Sequence, residues 1–230
     1  MIFSNIRVAA LKGLLIAVCL VVAATGYAAV NTQEELTASK VFAQIPIEVL
    51  DMLRPSTRLD MLDYYSHADS LIVATDALGG KSQLQQVAPD YLKLSVTPVS
   101  TLEIKILPSK KGNIVMTLYT VSDTAGQPSG ASDTRVQFFD SNLKPLDPKK
   151  FMKTPSLKDF FNLKDTGMKE SDLTEKIPFE AIAYTTGPGS APLTATFTTL
   201  STLSQEDRDL LTPLLITSLT AVWNQSYNFK

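Results

Sequence analysis

His67 is the only histidine in the 230-residue chain, so a Ser-His-Asp triad would have to be built on it. It follows Tyr65-Ser66 and precedes Ala68-Asp69 at the polar end of a helical segment. A histidine there is favoured by the helix dipole. No nucleophile elbow accompanies it, which points to a structural or surface role. A histidine-rich metal centre is excluded by count. Gly79-Gly80-Lys81-Ser82 has the form of the tail of a phosphate loop. The full motif needs a glycine where Thr75 stands, and it needs a preceding strand where the pattern reads as helix. A helix end followed by a turn explains the same residues.

Carboxylates could act without histidine, as in glycoside hydrolysis. Asp60 and Asp63 are three apart on a helix and can share a face. A solvated face, or local pairing with Arg58, accounts for them. Glu206, Asp207 and Asp209 fall in or near a helix's first turn, where the dipole stabilises acids. Calcium requires an oxygen-rich loop, and Asp123 to Asp133 offers a thin one. From these residues no catalytic, cofactor-binding or metal-binding side chain is assigned, and no cofactor is expected. An apolar cavity is the remaining possibility. A curved sheet with helices across one face can enclose a lipid-like ligand, and the same residues serve equally well as core.

The elements that would position such groups begin with the N-terminus. Arg7 and Lys12 are the only charges before Glu34. The apolar run over 14–24 and the small-residue stretch Ala24-Thr25-Gly26-Tyr27-Ala28-Ala29 follow them. That order is that of a secretory signal, with cleavage after Ala28 (Ala28 and Gly26 supply the small side chains). A spanning helix needs about 20 apolar residues, and this run is shorter. Cys19 lies inside the run, which is the wrong place for lipid attachment. The reading therefore assigns 1–28 to a signal peptide, expected as a helix over 8–24, and 29–230 to a single exported domain with a possible division near 141–178. Removing 1–28 takes away two basic residues and no acid, leaving 19 basic against 23 acidic side chains, a formal charge of −4. It also takes away the only cysteine. Such a chain is expected to avoid nucleic acid, to form no disulfide and not to span a membrane.

Helical signals occupy 41–88. Pro46 suits a first helical position, with Ile47, Leu50, Met52 and Leu53 as an apolar face. Pro55 separates this from a helix beginning near Ser56 or Thr57, with Leu59, Met61, Leu62 and Tyr65 as its apolar positions. A third helix over 70–78 stops at Gly79-Gly80. Period-two alternation then predicts strands over 92–96 and 102–106, each with one face to water. Lys110-Lys111-Gly112-Asn113 reads as a hairpin turn. The segment 114–121 is apolar on both faces, as a central strand would be, and 135–139 is a fourth strand. Residues 140–178 are turn-rich, with a short amphipathic helix over 156–163. Strands follow over 179–185 and 193–200 around Gly187-Pro188-Gly189-Ser190. Ser204 and Asp207 form a capping-box-like start to another helix, which Pro213 shortens. A last strand over 219–229 carries Leu219, Ala221, Trp223, Tyr227 and Phe229 on one face. The fold class is α+β: N-terminal helices, then a mainly antiparallel meander with further helices packed on it. The two strand groups fit one large sheet or two, and there is no internal repeat.

Four landmarks stand in order: Thr57-Arg58-Leu59-Asp60-Met61-Leu62-Asp63-Tyr64, Ala77-Leu78-Gly79-Gly80-Lys81-Ser82, Asp133-Thr134-Arg135-Val136-Gln137-Phe138-Phe139-Asp140, and Leu143-Lys144-Pro145-Leu146. With them the chain resembles an uncharacterised family of small exported proteins from Bacteroidetes, a domain of unknown function. The resemblance covers most of the mature chain and brings no established activity, so it carries no site residue. It implies a Gram-negative envelope setting, either periplasm or outer surface. The partner expected there is an envelope protein, a glycan or an apolar ligand. It also implies a modification, since Asp-Ser/Thr before an apolar residue is an O-glycosylation pattern in that group. Asp123-Thr124-Ala125 fits in a predicted loop, and Asp69-Ser70-Leu71 fits in a predicted helix. The functional expectation is a non-enzymatic binding or accessory protein of the envelope. The alternative is a carboxylate-dependent hydrolase of envelope or dietary glycans.

Overall fold

A computed structural model describes residues 35–67, 73–123 and 130–230. The expected signal peptide, its helix over 8–24, Thr124 and the Asp69-Ser70-Leu71 pattern lie outside the described residues. The chain divides into Met1–Glu35 and Leu36–Lys230, and the fold below is that of the second unit.

Seven antiparallel strands form a meander in strict sequence order: β1 (Val73–Thr75), β2 (Lys81–Ala88), β3 (Tyr91–Thr97), β4 (Ser100–Leu107), β5 (Ile114–Ser122), β6 (Ser132–Phe139) and β7 (Pro145–Leu146). The α+β meander expected from the alternation is therefore present. A separate three-stranded antiparallel sheet, ordered β10-β9-β8, comprises β8 (Ile182–Thr185), β9 (Leu193–Phe197) and β10 (Leu219–Ala221). The strand groups thus form two sheets. Residues from the two faces of the large sheet enter two cores. Leu92, Leu94, Leu102, Ile104 and Val115 pack with Val41, Phe42 and Met61 of the N-terminal helices. Met116, Leu118 and Phe138 pack with Leu193, Ala195 and Phe197 of the small sheet. β5 contributes to both cores, as its two-faced apolar sequence requires.

The N-terminal region departs from expectation. Helix α1 spans Ala38–Gln44, capped by the Thr37 hydroxyl, which accepts from the Lys40 N–H. It ends before Pro46 instead of starting there. Ile45 precedes the proline and takes an extended ψ of 137°, the conformation a following proline imposes. Helix α2 spans Pro55–Ser66 with Pro55 in its first turn. Its expected apolar face does not form: Met61 is buried, while Leu59 stays 57% exposed. Among the described residues of the third expected helix, 73–78, none is helical. Residues 73–75 form β1, and the chain turns through Asp76 to Gly80 into β2. The Asp76 carboxylate accepts from the N–H groups of Leu78 and Gly80, and Gly79 holds the left-handed φ of +81° that the turn requires. A Cβ on Gly80 would collide with that carboxylate.

Between the sheets, the helix expected over 156–163 shrinks to a 3-10 turn, Leu157–Phe160, under a Ser156–Asp159 capping box. An additional helix, α3 (Glu170–Lys176), occupies part of the turn-rich region. Helix α4 (Gln205–Leu211) starts at Ser204 as expected, and Pro213 falls in the 3-10 turn that follows it. The last expected strand stops at Ala221. Gln225 adopts a φ of +64°, and the chain doubles back so that Lys230 exchanges hydrogen bonds with Thr220. Among the described residues, no helix is long and apolar enough to cross a membrane.

Candidate functional site

The charged residues of β4 were expected to face water, and they do not, while Lys93 of β3 stays 33% exposed. Glu103 and Lys105 are each only 3% exposed. The turn between β8 and β9, residues 186–190, folds over them. Buried charges must be paired and hydrogen-bonded to persist, and both are. The Lys105 ammonium donates to Asp90 Oδ2 at 2.6 Å, to the Gly187 carbonyl at 2.9 Å and to the Gly189 carbonyl at 2.6 Å. Gly189 N–H donates back to Asp90 at 3.0 Å. An ammonium has three N–H groups, so Lys105 has no donor left for a ligand.

Glu103 forms a second latch on the same turn. Its Oε2 accepts from Thr186 N–H at 3.0 Å, and its Oε1 lies 3.4 Å from Lys93 Nζ. Burial raises the Glu103 carboxyl above its ordinary value, against the lowering influence of Thr186, Lys93 and Tyr91. Burial first, and then Glu103, raises the Tyr91 hydroxyl too. A carboxyl raised in the folded state holds its proton more tightly there than in the unfolded chain. Its contribution is therefore most favourable below the ordinary value of 4.5 and declines as pH rises through the folded-state value. Glu103→Gln should flatten this decline. Urea denaturation between about pH 4 and pH 7 reads it, and an unchanged slope in the variant would assign the decline to other groups.

Beside the Lys105 latch lies a cavity of about 350 Å³. Three separate segments wall it: Ile106, Leu107 and Pro108 at the end of β4, Ser190 and Ala191 before β9, and Val222, Trp223 and Tyr227 after β10. Asp90 and Lys105 sit at its polar end. The Trp223 indole N–H is bound to the Pro108 carbonyl at 2.7 Å, which fixes the ring against the β4–β5 turn. Trp223 also packs on Tyr227, with ring centroids 5.1 Å apart. Tyr227 is 1% exposed, and its hydroxyl is buried without a protein partner. The wall thus offers apolar surface and the Ser190 hydroxyl, because its charged groups already bind each other and the Tyr227 hydroxyl is sealed within the core. The size falls at the small end of ligand pockets.

A second pocket, also about 350 Å³, is lined by Asp133 and Thr134 of β6, Glu180, Ile182 and Tyr184 around β8, and Met152 and Pro155. Asp133 Oδ1 accepts from Ile182 N–H, and the Thr134 hydroxyl accepts from Tyr184 N–H. These bonds cover the free edge of the small sheet.

The residues weighed from sequence do not converge on either cavity, Asp133 excepted. His67 caps the end of α2 on the surface, with its Nδ1 3.9 Å from Asp63 Oδ1. Gly79-Gly80 form the β1–β2 turn, and the Ser82 hydroxyl donates to the Val96 carbonyl. Asp60 and Asp63 face solvent, and Arg58 pairs with neither: its guanidinium is buried among backbone carbonyls. Asp207 caps α4 with Ser204 and pairs with Lys176 at 2.7 Å, while Asp209 accepts from Gln205. Among the described residues, no group of three or more His, Cys, Asp or Glu side chains is placed to hold a metal.

Two antiparallel sheets joined by hydrogen bonds from the 186–190 turn to Asp90, Glu103 and Lys105, with helices on the outer face, define the class of domain. The chain belongs to the family described as a protein of unknown function, DUF3256, which matches it over residues 30–229. Its fold is similar to that of a domain of an uncharacterized protein from Porphyromonas gingivalis W83. The TM-score is 0.70 at 18% sequence identity, covering 84% of this chain and 96% of that one. No curated protein matches the sequence.

Proposed function

We propose that this is an exported envelope protein that works by binding, and that the cavity at Trp223 takes a small apolar ligand carrying one hydrogen-bonding group. The observation that carries the reading is the internal pairing of Asp90 and Lys105. It leaves the cavity with apolar walls and, at its exposed rim, the hydroxyl of Ser190. The positive, apolar, small-residue order of residues 1–28 supports export to the periplasm or outer surface of a Gram-negative cell, and the likeness to a Porphyromonas gingivalis domain is consistent with that setting. Binding is better supported than the hydrolase alternative, because the carboxylates considered for catalysis serve as helix caps or solvated faces.

Trp223 is the only tryptophan in the chain, so its emission reports on this cavity alone. The neutral fluorophore N-phenyl-1-naphthylamine, apolar with one N–H, is a suitable probe. Saturable energy transfer from Trp223 is expected on titration, and Ala191→Phe, which fills the cavity, should abolish it while the melting temperature holds. Equal transfer in wild type and variant would remove the cavity from the account.

A further inference from the structure

The chain is acidic as a whole, yet its lysines are unevenly placed. Lys110 and Lys111 stand in the β4–β5 turn, and Lys149 and Lys150 in the 3-10 turn before Phe151. Both turns border the segment 222–227. The Gln225 side chain accepts from the Lys110 N–H, and Tyr227, two residues on, donates its N–H to the Phe151 carbonyl. The Phe151 and Trp223 rings stack there with centroids 6.4 Å apart. Lys153 and Lys230 continue the face around a hollow that Ile216 and Phe229 also line. All six lysines are exposed, and among the described residues none is in an ion pair. The acids of the stretch 147–159, Asp147 and Asp159, accept from the backbone N–H groups of Lys149 and Ser156. Between the lysines the surface is aliphatic: Val222 is 67% exposed and Ile216 39% exposed. Val222 also lines the Trp223 cavity, so the face adjoins it.

Lysine stems lie along apolar surface and keep their ammonium groups in water. Unpaired cations around exposed aliphatic side chains complement anionic headgroups above hydrocarbon. An acidic polysaccharide complements the lysines but offers nothing to Val222 and Ile216. We infer that this face docks on a bilayer containing anionic phospholipid, with the lysines at headgroup level and Val222 and Ile216 at the acyl boundary. Docking does not require an occupied cavity. Ala191→Phe, which fills the cavity, should bind vesicles as the wild type does, so either reading can fail without the other.

The test is cosedimentation of residues 29–230 with vesicles. This piece holds the whole described fold and omits the apolar run over 14–24, which would itself bind lipid. Vesicles of phosphatidylglycerol in phosphatidylcholine are compared with phosphatidylcholine alone, and soluble polygalacturonate is titrated separately. Saturable binding to the anionic vesicles is expected, falling with added salt, and none to the neutral ones. Lys149→Glu with Lys150→Glu should weaken it at least about tenfold. Arg54→Glu with Lys81→Glu changes the net charge equally at the β1–β2 side of the large sheet, away from β7, and should weaken it less than about twofold. Val222→Ser should weaken it about threefold, which charge alone does not explain. No binding to the anionic vesicles, or equal losses in the two charge-reversal pairs, would overturn the inference. So would tight polygalacturonate binding with vesicle affinity unchanged in Val222→Ser, which would assign the face to an acidic polymer.

Discussion

Arg58→Ala is expected to destabilise the domain by about 4 kcal/mol, a large share of the stability of an ordinary domain. Arg58 is fully buried, and its three donor nitrogens each serve a different backbone carbonyl: Nε to Leu53, Nη1 to Ile45 and Nη2 to Leu50. These carbonyls belong to the irregular segment between α1 and α2, which has no helix of its own to satisfy them. Burial lowers the Arg58 pKa, which is the sign of a charge held at a desolvation cost. The guanidinium fork matches three divergent acceptors, and an ammonium does not. Arg58→Lys should therefore retain most of the loss. Arg58→Met keeps the stem's packing and discards the donors, so it separates the two contributions. Urea midpoints of the three variants measure this. A loss below about 1 kcal/mol for Arg58→Met would mean that packing, not carbonyl capping, is what the residue supplies.

Lys105→Met should cost about 3 kcal/mol and, more tellingly, should loosen one place. It strands the Asp90 carboxylate and the carbonyls of Gly187 and Gly189, which Lys105 holds together across more than 80 residues of sequence. Hydrogen exchange should accelerate at Thr186 and Gly189, while the β4–β5 ladder stays protected. The wall of the Trp223 cavity at Ser190 and Ala191 would move with the turn, so probe affinity should fall as well. Uniform acceleration over both sheets would show that Lys105 supports global stability and not the turn.

The meander was legible in sequence because Leu92, Leu94, Leu102 and Ile104 alternate without interruption and pair directly, Leu92 with Ile104 and Leu94 with Leu102, ahead of the register shift at Ser95 to Thr97. The 110–113 turn and the Ser204 cap were legible for the same reason, since their signals are local. β2 was hidden by a shift in register between Leu84 and Gln86, which breaks its alternation. β1 is only three residues long, and a glycine pair after it reads as well for a helix end as for a hairpin. The burial of Glu103 and Lys105 could not be read locally. A charged residue alternating with an apolar one predicts a wet face, and here the cover comes from a turn more than 80 positions away. The cavity is missed for the same cause, because its walls come from 105–108, 189–191 and 222–227. Trp223 and Tyr227 were identified as apolar-face residues of a strand. Residue 225 reverses the chain between them, and the two rings meet across that turn instead of along a strand.

The central claim is that the Trp223 cavity is a binding site. Isotope-filtered NOEs between labelled protein and N-phenyl-1-naphthylamine test it most directly, because they report which side chains touch the probe. The account predicts NOEs from the probe to the Trp223 indole, the Ala191 methyl and the Val222 methyls. NOEs confined to exposed apolar side chains elsewhere, such as Leu59 and Tyr64 on α2, would contradict it.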